Sequence, residues 1–132
     1  MNTTEYAAVF EPFTERHFIK TFARKYKGAW DVTRSFLAEE FRFVDVLFNK
    51  SVAEHITDKN ADVVICKTEF KISGTQESRH ASGNRCIIAV QKSTAVVHVL
   101  LVYSEGDIGD SNETAGWKAI IKDNYPEYKD LL

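Results

Sequence analysis

The sequence predicts an α+β domain: an antiparallel β-sheet with an N-terminal helical hairpin packed on one face, in the order β-α-α-β-β-β-α. Three observations predict it. Apolar residues recur at helical spacing from Phe18 to Leu47. The period then falls to two just after Asp62, the spacing of a half-buried strand. Finally, Ala95 to Tyr103 is apolar almost without a break, as in a strand buried on both faces.

Tyr6 to Phe10 is short, apolar and aromatic, and Pro12 stops it; it reads as an edge strand. Thr14 has the chemistry of a helix N-cap, with Glu15 in the first turn. Phe18, Ile19, Phe22, Ala23 and Tyr26 form the apolar stripe of the first helix, which Gly28 ends. Asp31 is the next N-cap candidate. Phe36, Leu37, Phe41, Val44 and Leu47 give a second amphipathic helix ending near Asn49. Ser51 to Asn60 is polar and reads as a loop, with one helical turn around Ala53–Ile56.

Strands are expected over 64–72, 85–91 and 95–103. A long polar loop, Gly74 to Asn84, joins the first two, and Lys92-Ser93-Thr94 turns tightly between the others. After Glu105 to Asn112, Asn112 caps a last helix from Glu113 to Asn124, and Pro126 blocks its continuation. Cys66 and Cys86 share in-facing parity on neighbouring strands and read as buried, unbonded thiols.

The 132 residues, 44% hydrophobic and 27% charged, suit one domain over 1–132 with a real core. The net charge of -2 argues against a globally basic nucleic-acid binder. The charge is uneven, however. Eight Lys/Arg face five Asp/Glu between Pro12 and Lys50, whereas three face seven from Leu101 onward. Met1 to Glu5 has neither a basic start nor an apolar run, and no membrane-length stretch follows. A cytoplasmic setting with reduced cysteines and no membrane association is therefore expected.

The element order and several phrases resemble the RelE/ParE superfamily of toxins. "VFEPFTERHFIKTFARKY" is similar to the opening strand and first helix of such toxins, and "CKTEFKISG…SGNRCIIAV…VVHVLLVYS" to their sheet. The resemblance covers roughly residues 6–105. It implies a toxin of a toxin–antitoxin system, held by a cognate antitoxin. RelE-like members cleave mRNA, often on the ribosome, without metal or cofactor; ParE-like members bind gyrase.

Such cleavage needs a base for the 2′-hydroxyl, an acid for the leaving 5′-oxygen, and cations for the charge gained in the transition state. On that reading Lys71, Arg79 and Arg85 hold the scissile phosphate, and Lys67, His80 and Tyr103 contact RNA. Glu105 and His98 are the acid–base candidates. Each has a structural alternative. Lys67 and Lys71 fit a solvated strand face, Arg79 and His80 a polar loop, and Arg85 a strand end. His98 fits a hydrogen-bonded core histidine, and Tyr103 a packing residue. Where RelE-like toxins carry a basic residue after the last strand, this chain reads Ser104-Glu105-Gly106-Asp107. The alternative function is a toxin or interaction domain of the same fold that binds a protein target without catalysis. Neither C-x-x-C nor H-x₃₋₅-H spacing occurs, so no metal is expected. Trp30 and Trp117 read as packing groups, Trp117 also as a contact anchor.

Overall fold

The computed structural model describes residues 4–48, 53–57, 60–108 and 112–132. The fold is α+β, as expected. Strands β1 (Ala7–Phe10), β2 (Ala53–Thr57), β3 (Val63–Phe70), β4 (Asn84–Gln91) and β5 (Val96–Ser104) form one sheet in the order β1-β5-β4-β3-β2. The three strands read from the two-residue period form an antiparallel meander. The sheet as a whole is mixed, because β1 lies parallel to β5 along its edge.

β2 replaces the expected loop and helical turn. It pairs antiparallel with the outer side of β3. Its polar sequence concealed it, since an edge strand is held by backbone hydrogen bonds and needs no apolar alternation. The expected end of the second helix at Asn49 lies outside the described residues.

The first helix starts at Pro12, in the favoured first position, and not after a Thr14 cap. It runs as α1 (Pro12–Thr14), a π-helical turn (Glu15–Ile19) and α2 (Lys20–Tyr26). Thr14 is fully buried, and its hydroxyl accepts the Val102 N–H at 3.0 Å. β1 has already ended there, so Thr14 takes over a ladder position on the free edge of β5. Helix α3 (Gly28–Arg42) begins directly at Gly28, which places Asp31 within its first turn. The reversal between α2 and α3 falls on Lys27, at φ 49° and ψ -123°. Phe43 breaks the second helix, and α4 (Val44–Leu47) completes it.

The α2–α3 hairpin covers one face of the sheet. Ile19, Phe22, Trp30, Leu37 and Phe41 pack there against Cys66, Phe70, Cys86, Ile88 and Val99. Phe36, expected on this buried stripe, points outward and is 61% exposed. The opposite face, where the resemblance had placed the RNA site, is covered by α5 (Glu113–Asn124) and the 3₁₀ turn Pro126–Leu131, so the last strand is buried on both faces as expected. Asn112 caps α5 as expected, accepting the Ala115 N–H at 3.0 Å. Trp117, Ile121 and Tyr125 pack on Ile65, Ile87, Ala89 and Leu101. Trp117 is fully buried, so it is a core residue and not a contact anchor.

A bulge in β5 shapes this second face. Ile87 pairs with Leu101 but Ile88 pairs with Val99, leaving Leu100 as the extra residue. Side-chain parity changes there, so His98, Leu101 and Tyr103 all lie on the α5 side. The Leu100 carbonyl accepts the Tyr125 hydroxyl at 2.6 Å.

Cys66 and Cys86 are buried and free, as expected. Burial pushes the Cys66 thiol up to about 12 and raises Cys86 as well. Neither thiol should react with a maleimide until the chain unfolds. Lys27 and Ala95, at φ 49° and 53°, occupy left-handed backbone disfavoured for side chains. Lys27→Gly and Ala95→Gly should each stabilise the chain by about 1 kcal/mol. Calorimetry should register each as a rise in melting temperature of roughly 3–5 °C.

Candidate functional site

Six of the sequence-derived candidates meet at one end of the sheet. Arg85, near the start of β4, is the centre of this cluster. Its side chain is only 4% exposed and pairs with Glu69 at 3.1 Å and Glu105 at 3.0 Å. It also donates to the carbonyls of Asn84, His80 and Arg79 at 2.9, 3.0 and 3.3 Å. The 74–84 loop folds back to supply two of these carbonyls. Ser82 holds that return, its hydroxyl lying 2.6 Å from both the Phe70 and the Arg79 carbonyl, to either of which it can donate, and accepting the Asn84 N–H. Glu105 reaches Arg85 because its N–H bonds the Gly83 carbonyl at 2.9 Å, at the join of β4 and β5.

Beside Arg85, Tyr103 is fully buried and donates its hydroxyl to Glu113 at 2.7 Å. Lys67 pairs with the same carboxylate at 2.8 Å. Burial and the neighbouring Glu113 carboxylate raise the Tyr103 phenol far above its usual range, so it is a fixed donor. Burial pushes the Glu113 carboxyl up, but hydrogen bonds from Lys67 and Tyr103 and the charges of Lys67 and Arg85 outweigh it and hold the carboxyl low.

The loop residues point elsewhere than expected. Arg79 turns toward α3 and pairs with Glu40 at 2.9 Å, away from the α5 face. His80 is exposed, with Nδ1 on Glu69 at 2.6 Å. Lys71 lies beyond the end of β3, so the four-residue spacing no longer sets it beside Lys67. It is exposed and lines a groove with Val32, Phe36 and Phe70. His98 shares the α5 face but sits toward the other end, opposite Ala89, which is four residues, or roughly 13 Å, along β4 from Arg85. It is half-buried rather than a core residue, with Nδ1 on Glu11 at 2.7 Å and Nε2 near Gln91 at 3.3 Å.

Sequence reasoning missed the carboxylates. Glu40, Glu69 and Glu113 each take one or more of the expected RNA-binding cations. Glu113 carried one legible signal, since an acidic residue just after an N-cap belongs in the first turn of a helix. Taken together, three permanent cations (Lys67, Arg79 and Arg85) face four carboxylates (Glu40, Glu69, Glu105 and Glu113). Such a cluster repels a phosphodiester. Glu105 is bound to a buried guanidinium and is poorly placed to take a proton from a ribose. Among the described residues no group of three or more His, Cys, Asp or Glu side chains is arranged to hold a metal ion.

No family model, curated protein or solved structure matches this chain.

Arg85→Ala should cost about 3–5 kcal/mol in urea unfolding, because it strands two carboxylates around a buried space. Glu105→Gln should cost under about 1 kcal/mol, since Glu105 is half-exposed and Glu69 remains. Native-like stability of Arg85→Ala would show that the network does not hold the sheet end. The depressed Glu113 carboxyl contributes stability that is complete above an unfolded value of about 4.3 and is lost as pH falls through its lower folded value. In acid titrations of stability, Glu113→Gln should flatten that limb and leave the neutral plateau lower.

Proposed function

We propose that the chain is a RelE/ParE-like interaction domain that acts by binding a protein target without catalysis. The observation that carries this reading is the neutralised cluster. RNA cleavage needs cations free to meet a phosphate as its charge grows. Here Lys67, Arg79 and Arg85 are already paired with carboxylates, and Arg85 is enclosed. Lys71 is exposed but stands apart from them. The element order supports a RelE/ParE-like build, with β2 added and the last helix laid over the face where RNA was expected.

Helix α3 supports a protein target. Val32, Phe36 and Val46 are 54%, 61% and 48% exposed on the hairpin's outer side. Phe36 stands between two apolar grooves, one against Leu37 and Phe70 and the other against Phe43 and Val46. A protruding aromatic flanked by grooves is the usual form of a protein-contact anchor. A gyrase-like target and a cognate antitoxin are both compatible with such a surface.

Induction of this chain alone in a bacterium tests the reading. We expect growth arrest with transcripts intact by primer extension. Phe36→Asp should relieve the arrest while the melting temperature stays within about 2 °C, because the side chain is exposed. Defined cuts in mRNA that disappear with Lys71→Ala or Glu105→Gln would replace this proposal with the endoribonuclease.

A further inference from the structure

Five cations free of carboxylates lie close together on the first helix and at its end. Arg16, Lys20, Arg24, Lys25 and Lys27 are all exposed. None of them meets a carboxylate among the described residues, whereas Arg34, Arg42, Arg79 and Arg85, the other four arginines of the chain, are all ion-paired. No Asp or Glu occurs between Arg16 and Trp30. Among the described residues Lys71, Lys92, Lys118, Lys122 and Lys129 also lack an ion pair, but they are scattered along the chain, whereas these five fall between positions 16 and 27.

The spacing makes a ridge of these charges. Lys20 and Arg24 are four residues apart and stack on one side of α2, and Lys27 follows directly after its last residue. The π turn is wider than an α turn, so Arg16 falls about one turn before Lys20 and extends the same side. From Arg16 to Lys27 the series runs roughly 16 Å, with successive charges about 4–6 Å apart along the axis. Lys25 stands off it, 5.3 Å from the Tyr26 ring centre.

We propose that this ridge binds the phosphate backbone of duplex nucleic acid without reading its sequence. A regular series of cations on a straight element matches a regular series of phosphates. The other side of the helix excludes bilayer insertion, because Ile19 and Phe22 are buried in the core and no apolar side remains to enter lipid. A single strand would need exposed aromatic rings for its bases to stack on. The rings of this helix turn inward instead, with Phe22 stacked on Tyr26 and on Trp30 at 6.1 and 5.2 Å. Arg16 and Lys20 border the cleft toward α3, which Asp31 and the Arg34–Glu15 pair make acidic, whereas Arg24 and Lys27 are not among its lining residues. The backbone therefore lies along the outer side of the ridge and not in the cleft.

Fluorescence anisotropy with labelled RNA and DNA duplexes tests this between ~50 and ~200 mM salt. Affinity should fall with a log–log slope of about -3.6 to -4.5, for about four to five neutralised phosphates. Both duplexes should bind within a few-fold, independent of base sequence. The combined variant Arg16→Gln, Lys20→Gln, Arg24→Gln, Lys27→Gln should lose roughly 10²-fold in affinity at the low-salt end and most of the slope, with its circular dichroism spectrum unchanged. Lys67→Gln should leave binding intact. Parental affinity in the combined variant would overturn the proposal. So would equal binding to polyglutamate, binding to phosphatidylserine vesicles in place of the duplexes, or dependence on one base sequence.

Discussion

A guanidinium buried at the head of β4 constrains everything around it. An arginine removed from water must keep its charge neutralised and its N–H groups bonded. Arg85 meets that requirement with two carboxylates and three carbonyls. The requirement explains why the 74–84 loop doubles back instead of extending into solvent, and why the chain is acidic just after β5. Ser104-Glu105-Gly106-Asp107 read as a departure from the RelE-like pattern; in the fold, Glu105 is one of the counterions of Arg85. The same arrangement separates structure from chemistry, because a cation fixed in this way holds the sheet end and has little left for a substrate.

The meander, the last helix with its Asn112 cap and the buried thiols were legible in the sequence, since each rests on local periodicity or local capping chemistry. What was not legible depended on partners distant in the chain. β2 is held by backbone pairing and leaves no apolar pattern. Thr14 has the chemistry of a cap, but its hydroxyl is engaged by Val102, 88 residues away. Lys27 makes the reversal between the helices where the adjacent glycine was the natural choice. Phe36 fits the buried stripe by spacing and faces solvent all the same, which period alone cannot reveal.

For the candidate site, residue type was legible and pairing was not. The sequence located Arg85, Lys67, Tyr103 and Glu105 near one another, and the fold does bring them to one end of the sheet. It could not show that Glu40 on α3 draws Arg79 to the other side, or that Glu113 lies across Lys67. Lys71 and Lys67 shared strand parity only as long as the strand continued, and β3 stops at Phe70. His98 and Tyr103 are five residues apart and belong on opposite faces of a regular strand; the bulge puts them on the same one.

That bulge also makes β5 a strand read in two frames. Residues before Leu100 show one set of side chains to α5, and residues after it show the alternate set. The strand's chemistry is therefore tied to where the bulge sits and not only to its composition. Losing Leu100 alone would remove the bulge and leave every neighbour on its present face, because Val99 and Leu101 already oppose the adjacent residues Ile88 and Ile87. Pairing the strand regularly with Leu100 retained would instead turn everything beyond it inside out. The Tyr103 phenol would then face the cysteine side, and Val102 would be presented to Glu113 and Lys67. A change of one residue in length is thus absorbed at Leu100 and nowhere else in the last strand.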